Sequence, residues 1–297
     1  MNILVTLNSN YLNVLIVMLK SLAYNNKHRK FDVYVMNDSL TEENIEYLRQ
    51  NTMKNINIID LKINDKELDN APITKRYPKE MYYRIFAAYY LPKKVKKILY
   101  LDPDLVVINR IDKLYNMNLD NYYFAAASHI WGLLQTFNRI RLRMTGDDVY
   151  INSGVMLMNI KLLRETQNRD DVYRFIKKNK NKLMLPDQDV ISGLYANKIL
   201  PLDPYAYNMT EKLLNQKYFM PHINQRWIKD NSVIIHYCGK NKPWKKKYRG
   251  TLNIFYDFYD KIDIDKNEGK LCKIYQKFNS QKEKNYQKLD DIIIDEN

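Results

Sequence analysis

Two aspartates flank one proline at Asp102-Pro103-Asp104, directly after Lys97–Leu101, a segment that predicts a strand. Residues two apart in an extended segment project from the same side, and the proline stiffens that geometry. Ligands bind at the carboxyl ends of strands in open α/β sheets. Two carboxylates so close repel each other unless a cation neutralises them, which predicts a divalent metal ion. An ordinary turn is the alternative, because Asp-Pro-Asp is also favourable turn chemistry.

A second segment with chemical potential, His236–Trp244, begins in the predicted strand Val233–Tyr237. A histidine nitrogen added to two carboxylates makes a ligand set that suits Mn²⁺ or Mg²⁺, with Mn²⁺ favoured by the nitrogen. Gly239 allows the backbone to approach a ligand closely, and Lys242 provides a point charge for a phosphate. A histidine taken alone is more often structural than a ligand, so the prediction depends on both segments.

Other function classes explain less of this pattern. A haloacid-dehalogenase-like phosphohydrolase also places Asp-x-Asp and a metal ion at a strand end, and in that alternative Asp102 is the nucleophile. It would leave His236–Trp244 without a role. A nucleic-acid-binding module is suggested by charge alone, and we expect no nucleic-acid partner because the chain has no recognised binding motif. A Rossmann dehydrogenase is disfavoured because no G-x-G-x-x-G follows the first predicted strand.

Short apolar runs alternate with amphipathic stretches along the chain, which predicts an α/β fold with βαβ units. Further predicted strands are Ile3–Leu7, Phe31–Met36, Asn57–Leu61, Phe124–Ser128 and Val155–Asn159. Predicted helices cover Leu12–Tyr24, a stretch after the cap-like Ser39 and Thr41, Glu80–Leu91, a segment starting near Lys161, and Asp171–Lys178. Each candidate metal ligand therefore stands near the end of a predicted strand.

The bulk composition limits the class of protein and its location. The chain has 297 residues, a length that predicts one large domain with an appendage. We place a catalytic domain at residues 1–244 and a basic, aromatic, helical tail at residues 245–297. Cys238 and Cys272 are too few for a disulfide framework, so we expect reduced thiols and a cytoplasmic protein. No apolar run approaches the roughly 18 residues of a membrane span.

The formal net charge of +14 suggests an anionic partner, and many basic residues lie in the tail. Basic and aromatic residues alternate in its first part: Lys245–Lys247, Tyr248, Arg249, Phe255, Tyr256, Phe258 and Tyr259. One hypothesis is peripheral contact of the tail with the anionic inner face of the cell membrane. The alternative is a surface helix whose aromatic side chains pack on the domain.

Taken together, these segments resemble glycosyltransferase family 8, retaining enzymes that include bacterial lipopolysaccharide galactosyl- and glucosyltransferases and glycogenin. The similarity covers the chain from Asn2 to Trp244. It rests on motifs in the family's order, namely Asn8-Ser9-Asn10-Tyr11, Tyr82-Tyr83-Arg84, Ile98–Asp104, Ile151–Val155, Pro186-Asp187-Gln188-Asp189 and His236–Trp244. The last motif is highly specific and the Asp-x-Asp pair moderately so.

The resemblance implies the GT-A fold, a Rossmann-like nucleotide-diphospho-sugar transferase architecture in which helices flank a mixed sheet. It implies transfer of a hexose, galactose or glucose, from a UDP-sugar to a glycan, glycolipid or glycoprotein acceptor. Mn²⁺, or Mg²⁺ in its place, would be the cofactor, and the configuration of the anomeric carbon would be retained. The implied role is in the biosynthesis of bacterial lipopolysaccharide or another cell-surface glycan.

The resemblance also implies roles for individual residues: metal ligands Asp102, Asp104 and His236; diphosphate contacts Gly239 and Lys242; uridine contacts Thr6, Asn8 and Tyr11; and donor-sugar contacts Arg84, Asn152, Asp187 and Gln188. Asp187 and Gln188 are also the catalytic candidates, because they lie where a double-displacement nucleophile would be sought. Glutamine is a poor nucleophile, so we favour front-face attack by the acceptor hydroxyl, with a donor phosphate oxygen as base. Taken alone, Arg84 is compatible with a charge on a helix surface.

Two positions depart from the family's pattern. Asn8 stands where relatives usually carry an acidic residue that pairs with the uracil ring, although an amide offers both a donor and an acceptor there. His129 follows Phe124–Ser128, where relatives often carry an aspartate near the sugar and the acceptor. The sequence therefore leaves the transferred sugar and the acceptor contacts open.

Overall fold

The computed structural model describes residues 1–64, 79–129, 133–145, 148–215 and 223–263. The strands of this part are β1 (Asn2–Thr6), β2 (Phe31–Asn37), β3 (Ile56–Lys62), β4 (Ile98–Leu101), β5 (Leu105–Val107), β6 (Phe124–Ala127), β7 (Val155–Met158), β8 (Ile199–Leu202) and β9 (Ile234–His236). Its α-helices are α1 (Leu12–Asn25), α2 (Glu42–Gln50), α3 (Glu80–Tyr83), α4 (Ala87–Tyr90), α5 (Asp112–Tyr115), α6 (Leu133–Leu142), α7 (Ile160–Thr166), α8 (Arg169–Asn179), α9 (Pro186–Tyr195), α10 (Pro204–Tyr207), α11 (Glu211–Leu214), α12 (Gln225–Asn231) and α13 (Asn253–Asp260). Residues Met1–Asp260 form one compact unit, and the domain boundary after residue 244 stays a prediction.

In the described part of the chain, seven strands form one mixed sheet in the order β3-β2-β1-β4-β7-β6-β8. Strand β7 is antiparallel to its neighbours β4 and β6, and the other pairings are parallel. Side chains alternate between two cores, as in β1, where Ile3 and Val5 join one core and Leu4 joins the other. Helices α1 and α2 cover the first core, and α3, α7, α8 and α9 cover the second. The predicted α/β class, a mixed sheet flanked by helices, is confirmed.

Strand β5 pairs antiparallel with β9 in a separate two-stranded sheet. The register places Leu105 opposite His236 and Val106 opposite Ile235. The Tyr237 N–H donates to the Asp104 carbonyl at 3.0 Å, so the pairing extends to the aspartate. This ladder brings His236 beside Asp104, although 132 positions separate them in the chain.

The structure differs from the predicted elements in one helix and two strands, and it also contains α5, α6, α10, α11 and α12, which were not predicted. The predicted helix Glu80–Leu91 is divided into α3, a 3₁₀ turn at Arg84–Phe86, and α4. The Ile85 carbonyl in that turn accepts a hydrogen bond from Gln167 Nε2 at 3.0 Å, a side-chain partner that a regular helix does not require. Strands β5 and β8 are additional to the predicted strands, because β5 is short and β8 is an edge strand that contains Pro201.

The described part of the predicted tail, residues 245–263, buries two aromatic side chains of α13. Tyr256 and Tyr259 are both buried, and Asn25 in α1 donates a hydrogen bond to the Tyr259 hydroxyl at 2.6 Å. For these side chains the packed alternative holds, while residues 264–297, including Cys272, lie outside the described residues. Within the part of the chain that the structure describes, no helix is both long enough and apolar enough to cross a bilayer.

Candidate active site

All twelve residues with predicted roles line one cavity of about 750 Å³. They are Thr6, Asn8, Tyr11, Arg84, Asp102, Asp104, Asn152, Asp187, Gln188, His236, Gly239 and Lys242. The cavity lies where β1, β4 and β6, which run in the same direction, reach their carboxyl ends. We call Asp102, Asp104, His236 and Lys242 the carboxylate end of this cavity, and Asn152, Ser153 and Gln188 the amide end.

Three candidate metal ligands meet at the carboxylate end because two strand pairings converge there. Asp102 follows β4, Asp104 precedes β5, and His236 ends β9. His236 Nε2 lies 3.2 Å from Asp104 Oδ1 and 3.7 Å from Asp102 Oδ2. One ligand atom from each residue lies within 4.8 Å of the other two, so the three side chains are able to share one cation.

Two cations of the protein itself balance the aspartates. Lys242 Nζ contacts Asp104 Oδ2 and also donates to the Tyr237 carbonyl at 2.8 Å. Arg84 Nη1 lies 3.0 Å from Asp102 Oδ1. Burial raises the pKa of Asp104, but the attraction of His236 and Lys242 outweighs it and holds the pKa well below its ordinary value. Asp104 is therefore ionised at neutral pH, as a metal ligand must be.

The donor set fits a divalent cation. His236 Nδ1 lies 3.0 Å from Asn208 Oδ1, which only accepts, so Nδ1 carries a proton and Nε2 is the ring atom that faces the carboxylates. Gly154 preserves the space around these ligands, because a Cβ there would lie 2.2 Å from His236 Cε1 and 2.8 Å from Asp102 Oδ2. Two carboxylates and an imidazole are a suitable set for Mn²⁺ or Mg²⁺.

Arg84 joins the carboxylate end to the amide end. Its Nη1 atom lies 3.1 Å from Asp187 Oδ2 and donates to the Ser153 carbonyl at 3.3 Å. The guanidinium also lies over the Tyr100 ring, whose hydroxyl donates to Asp102 Oδ1 at 2.6 Å. Burial raises the pKa of Asp187, and the guanidinium opposes that shift. Arg84 is therefore a buried part of the site and not a charge on a helix surface.

The amide end is a set of side-chain amides with defined donor and acceptor atoms. Gln188 Oε1 accepts from Asn152 Nδ2 at 2.9 Å and from the Ser153 N–H at 3.3 Å. Gln188 Nε2 donates to the Tyr150 hydroxyl at 3.4 Å. Asn152 Oδ1 in turn accepts from the Gly154 N–H at 3.1 Å. Because two donors already engage Gln188 Oε1, that atom is poorly prepared to act as a nucleophile.

A buried ion pair supports the amide end. Asp189 is fully buried in α9, and two nitrogens of Arg141 in α6 lie 2.7 Å from its carboxylate oxygens. Asp189 also accepts from the Tyr150 hydroxyl at 2.7 Å and from the Met184 N–H at 2.6 Å. This aspartate therefore fixes the start of the helix that presents Gln188 to the cavity.

The predicted uridine contacts lie at the end of β1 and in the turn that follows it. Thr6 is buried, with its hydroxyl 3.0 Å from that of Tyr100. Asn8 caps the 3₁₀ turn Ser9–Tyr11 by accepting a backbone hydrogen bond at 3.2 Å. Tyr11 meets Trp244 edge to face, with ring centroids 6.4 Å apart. Asn8 and Tyr11 are half-buried at the cavity, and their role towards a nucleoside stays a prediction.

Gly239 and His129 line the cavity in different ways. Gly239 has a φ of +85°, a conformation that favours glycine, and a Cβ there would meet no atom of the described residues within 4 Å. His129 Nε2 donates to the Asn208 carbonyl at 2.8 Å, and burial lowers the pKa of His129 to about 4. A neutral His129 therefore leaves its Nδ1 as an acceptor where the resemblance implies an aspartate.

Sequence reasoning missed several residues that hold the site together. Asn208, Tyr150 and Arg141 carry no motif spacing that marks them, since each acts through partners far away in the chain. Tyr150 directly precedes the Ile151–Val155 motif, and this position in the sequence is the signal that could have identified it. Asn208 follows α10 in a stretch without any pattern of its own.

Comparisons with known proteins identify the family to which this chain is similar. The model of Glycosyl transferase family 8 matches residues 2–248. A lipopolysaccharide 1,2-glucosyltransferase of Escherichia coli K12 is 26% identical over 254 residues, which cover 83% of this chain and 73% of that protein. General stress protein A of Bacillus subtilis is 26% identical over 267 residues, which cover 87% of this chain and 92% of that protein.

The fold is shared with a solved glycosyltransferase. The crystal structure of the galactosyltransferase LgtC in complex with donor and acceptor sugar analogues matches with a TM-score of 0.75 at 21% identity, covering 91% of this chain and 99% of that one. This likeness confirms the GT-A fold. The family match includes both the Asp102–Asp104 pair and His236, so the phosphohydrolase alternative is set aside. The chain therefore belongs to glycosyl transferase family 8 and is a glycosyltransferase.

Proposed function

We propose that this enzyme transfers a hexose, galactose or glucose, from a UDP-sugar to a glycan, glycolipid or glycoprotein acceptor, with Mn²⁺ or Mg²⁺ as cofactor. The observation that carries the proposal is the meeting of Asp102, Asp104 and His236 within 4.8 Å, on the wall of a cavity of about 750 Å³. A relative named for glucosyl transfer to lipopolysaccharide supports the sugar and acceptor classes.

Departure of the nucleoside diphosphate concentrates negative charge at the carboxylate end. A bound divalent cation supplies Lewis-acid stabilisation of that charge. Lys242 adds a positive charge that is already buried and oriented, so it stabilises the leaving group without reorganisation. Lys242 Nζ contacts Asp104 Oδ2, and the same ammonium group would also contact the diphosphate.

The amide end would hold the donor sugar through its hydroxyl groups, with Arg84 and Asp187 beside it. Asp187 Oδ2 accepts from the Ser153 hydroxyl at 2.6 Å and pairs with Arg84, so its charge is already engaged. Gln188 Oε1 has two donors of its own. Retention therefore proceeds by front-face attack of the acceptor hydroxyl, with a donor phosphate oxygen as base. A glycosyl adduct trapped on Asp187 and found by mass spectrometry would contradict this mechanism.

A UDP-release screen tests the proposed activity. The purified enzyme is incubated with individual UDP-sugars and Mn²⁺, then with Mg²⁺ or a chelator, because slow hydrolysis of the donor needs no acceptor. We expect release from UDP-galactose or UDP-glucose that the chelator abolishes. Equal release in the presence of the chelator would contradict the metal assignment, and release restricted to other nucleotides would contradict the donor assignment.

Asp104→Ala provides the sharpest variant for this screen. We expect metal-dependent UDP release to fall on the order of 10³-fold, because one ligand and the partner of Lys242 are both removed. Asp120→Ala, an exposed aspartate outside the cavity, is the matched control and keeps wild-type activity. Circular dichroism verifies that both variants are folded. Wild-type turnover by Asp104→Ala would overturn the metal site.

A peripheral contact with anionic membranes is proposed for the basic stretch Lys245–Lys247 and Arg249, which is supported by the exposure of all four side chains. Sedimentation with vesicles that contain an anionic phospholipid tests it, at low and high salt. We expect salt-sensitive binding that Lys246→Glu with Lys247→Glu weakens. Binding that responds to neither salt nor charge reversal would contradict the contact.

A further inference from the structure

We propose that Asn208 is a positioning residue that couples the metal ligand His236 to the amide end of the cavity. Its side chain makes both connections, because Oδ1 lies 3.0 Å from His236 Nδ1 and Nδ2 donates to Asn152 Oδ1 at 3.0 Å. The inference rests on the proposed function, since it concerns how His236 is prepared for a cation and how Asn152 is prepared for a sugar.

The backbone around Asn208 is fixed before its side chain is considered. Asn208 is fully buried and ends α10, where its N–H donates to the Pro204 carbonyl at 3.0 Å. The next residue, Met209, bridges to β9, and its carbonyl accepts from the His236 N–H at 2.7 Å. The same backbone segment therefore holds His236 through the main chain and through the side chain.

Two backbone donors determine which way each amide points. The Ser153 N–H donates to Gln188 Oε1, so the acceptor atom of Gln188 faces Asn152 Nδ2. The Gly154 N–H donates to Asn152 Oδ1, so that atom also accepts from Asn208 Nδ2. Asn208 is thereby left with Oδ1 towards His236. The order of donors and acceptors is consistent along the whole chain of amides.

This polarity has a chemical consequence at the metal ligand. An amide oxygen only accepts, so it holds the proton of His236 on Nδ1 and directs Nε2 to Asp102 and Asp104. Outer partners of this kind orient histidine ligands and raise metal affinity by about 10- to 100-fold. Asn208 also fixes the orientation of the Asn152 side-chain amide, which would face the sugar. A change at Asn208 therefore acts on both ends of the cavity.

Two substitutions separate the two connections. In Asn208→Leu both hydrogen bonds are lost, and we expect Mn²⁺ affinity to fall by about 10- to 100-fold together with turnover. In Asn208→Asp a carboxylate oxygen still accepts from His236, while its second oxygen opposes the acceptor Asn152 Oδ1. We expect this variant to bind Mn²⁺ within about 3-fold of wild type or more tightly, and to lose turnover.

The readout is titration of the purified protein with Mn²⁺ alone, with free Mn²⁺ followed by electron paramagnetic resonance. Asn26→Leu is the matched control, because Asn26 is equally buried and also bonds through both side-chain atoms, to the Leu22 carbonyl and the Ile111 N–H. We expect the control to lose stability without losing Mn²⁺ affinity. Wild-type Mn²⁺ affinity in folded Asn208→Leu would overturn the inference.

Nitrogen NMR of the metal-free wild type tests the role of Asn208 independently of the proposed function. In the neutral His236 ring we expect the proton on Nδ1, and a neutral ring protonated on Nε2 would overturn the role of Asn208 whether or not a metal binds. A wild-type protein that has the expected tautomer but binds no Mn²⁺ would instead overturn the metal assignment of the proposed function. The tautomer prepared by Asn208 would then stand as a structural finding.

Discussion

The two ends of the cavity differ in charge and in hydrogen bonding. At the carboxylate end, four ionisable side chains lie together, and Lys242 and Arg84 offset the charge of Asp102 and Asp104. At the amide end, Asn152 and Gln188 are neutral, and their atoms are ordered by donors and acceptors. The carboxylate end is therefore suited to a leaving group whose charge grows during reaction, and the amide end to hydroxyl groups whose direction matters.

The two ends should respond differently to the loss of a side chain. Removing one charged side chain from the carboxylate end leaves its partner buried without compensation, so metal binding and turnover fail together. The amide end depends on the Arg141–Asp189 pair, in which Asp189 is fully buried and Arg141 reaches the cavity wall. Substitutions of this ion pair should change stability or binding of the donor sugar and leave Mn²⁺ affinity unchanged.

Arg141→Met carries the largest expected effect on the folded state. It leaves the Asp189 carboxylate buried without its cation, and we expect the free energy of unfolding to fall by about 3 kcal/mol in urea titrations. Arg49→Met is the matched control, since Arg49 pairs with Glu46 at 3.6 Å on an exposed helix surface, and it should cost less than about 0.5 kcal/mol. If Arg141→Met weakened Mn²⁺ binding in the folded protein, the two ends would not be separable in this way.

Gly154→Ala tests the carboxylate end by crowding it. A Cβ would meet His236 Cε1 and Asp102 Oδ2 far inside contact distance, so we expect Mn²⁺ affinity to fall by about 10- to 100-fold. Gly193→Ala makes a comparable clash, 2.5 Å from Phe175 Cζ, but against a side chain outside the cavity. That control should lower the melting temperature and leave the Mn²⁺ titration unchanged. Equal Mn²⁺ affinity in wild type and Gly154→Ala would show that this glycine does not shape the site.

The sequence supports prediction of the carboxylate end better than of the amide end, for a physical reason. Asp102, Asp104 and His236 stand beside β-rich segments, and strand pairing brings such positions to one edge of a sheet. Strands β1, β4, β6 and β7 of the main sheet were predictable because burial on both faces makes their sequences continuously apolar, whereas the edge strand β8 was not predicted. The roles that the resemblance assigns to these residues stay predictions.

The amide end could be predicted only in part, because its geometry depends on partners without sequence pattern. Asn152 and Gln188 belong to recognisable motifs, but Asn208 and Arg141 do not, and their contacts span 56 and 48 positions. The residues alone left Arg84 compatible with a helix surface, whereas a 3₁₀ turn interrupts the predicted helix there and the guanidinium is buried at the cavity. Tertiary contacts decide such positions, and local propensity does not record them.

Gln188→Leu tests whether turnover of the donor sugar can be lowered without a change in metal binding. The variant loses the acceptor shared by Asn152 and Ser153, so we expect kcat for UDP release to fall by about 10-fold. Mn²⁺ affinity should stay within about 2-fold of wild type, because Gln188 contributes no ligand to the carboxylate end. Parallel losses in both measurements would mean that Gln188, and not only Asn208, influences metal binding.

The smallest effect at neutral pH is expected from His129→Gln, which tests whether the imidazole at this cavity wall is neutral in the folded protein. Burial lowers the pKa of His129 from 6.5 to about 4, so the unfolded chain binds a proton that the folded protein does not bind between these values. The contribution of neutral His129 to stability is therefore fully present above pH 6.5 and is lost as the pH falls towards 4, while the variant lacks this part of the pH dependence. Near pH 7.5 the two proteins should differ by less than about 1 kcal/mol, since glutamine is also able to donate to the Asn208 carbonyl. Urea unfolding at several pH values measures the two slopes, and parallel curves for wild type and variant would contradict a neutral, buried His129.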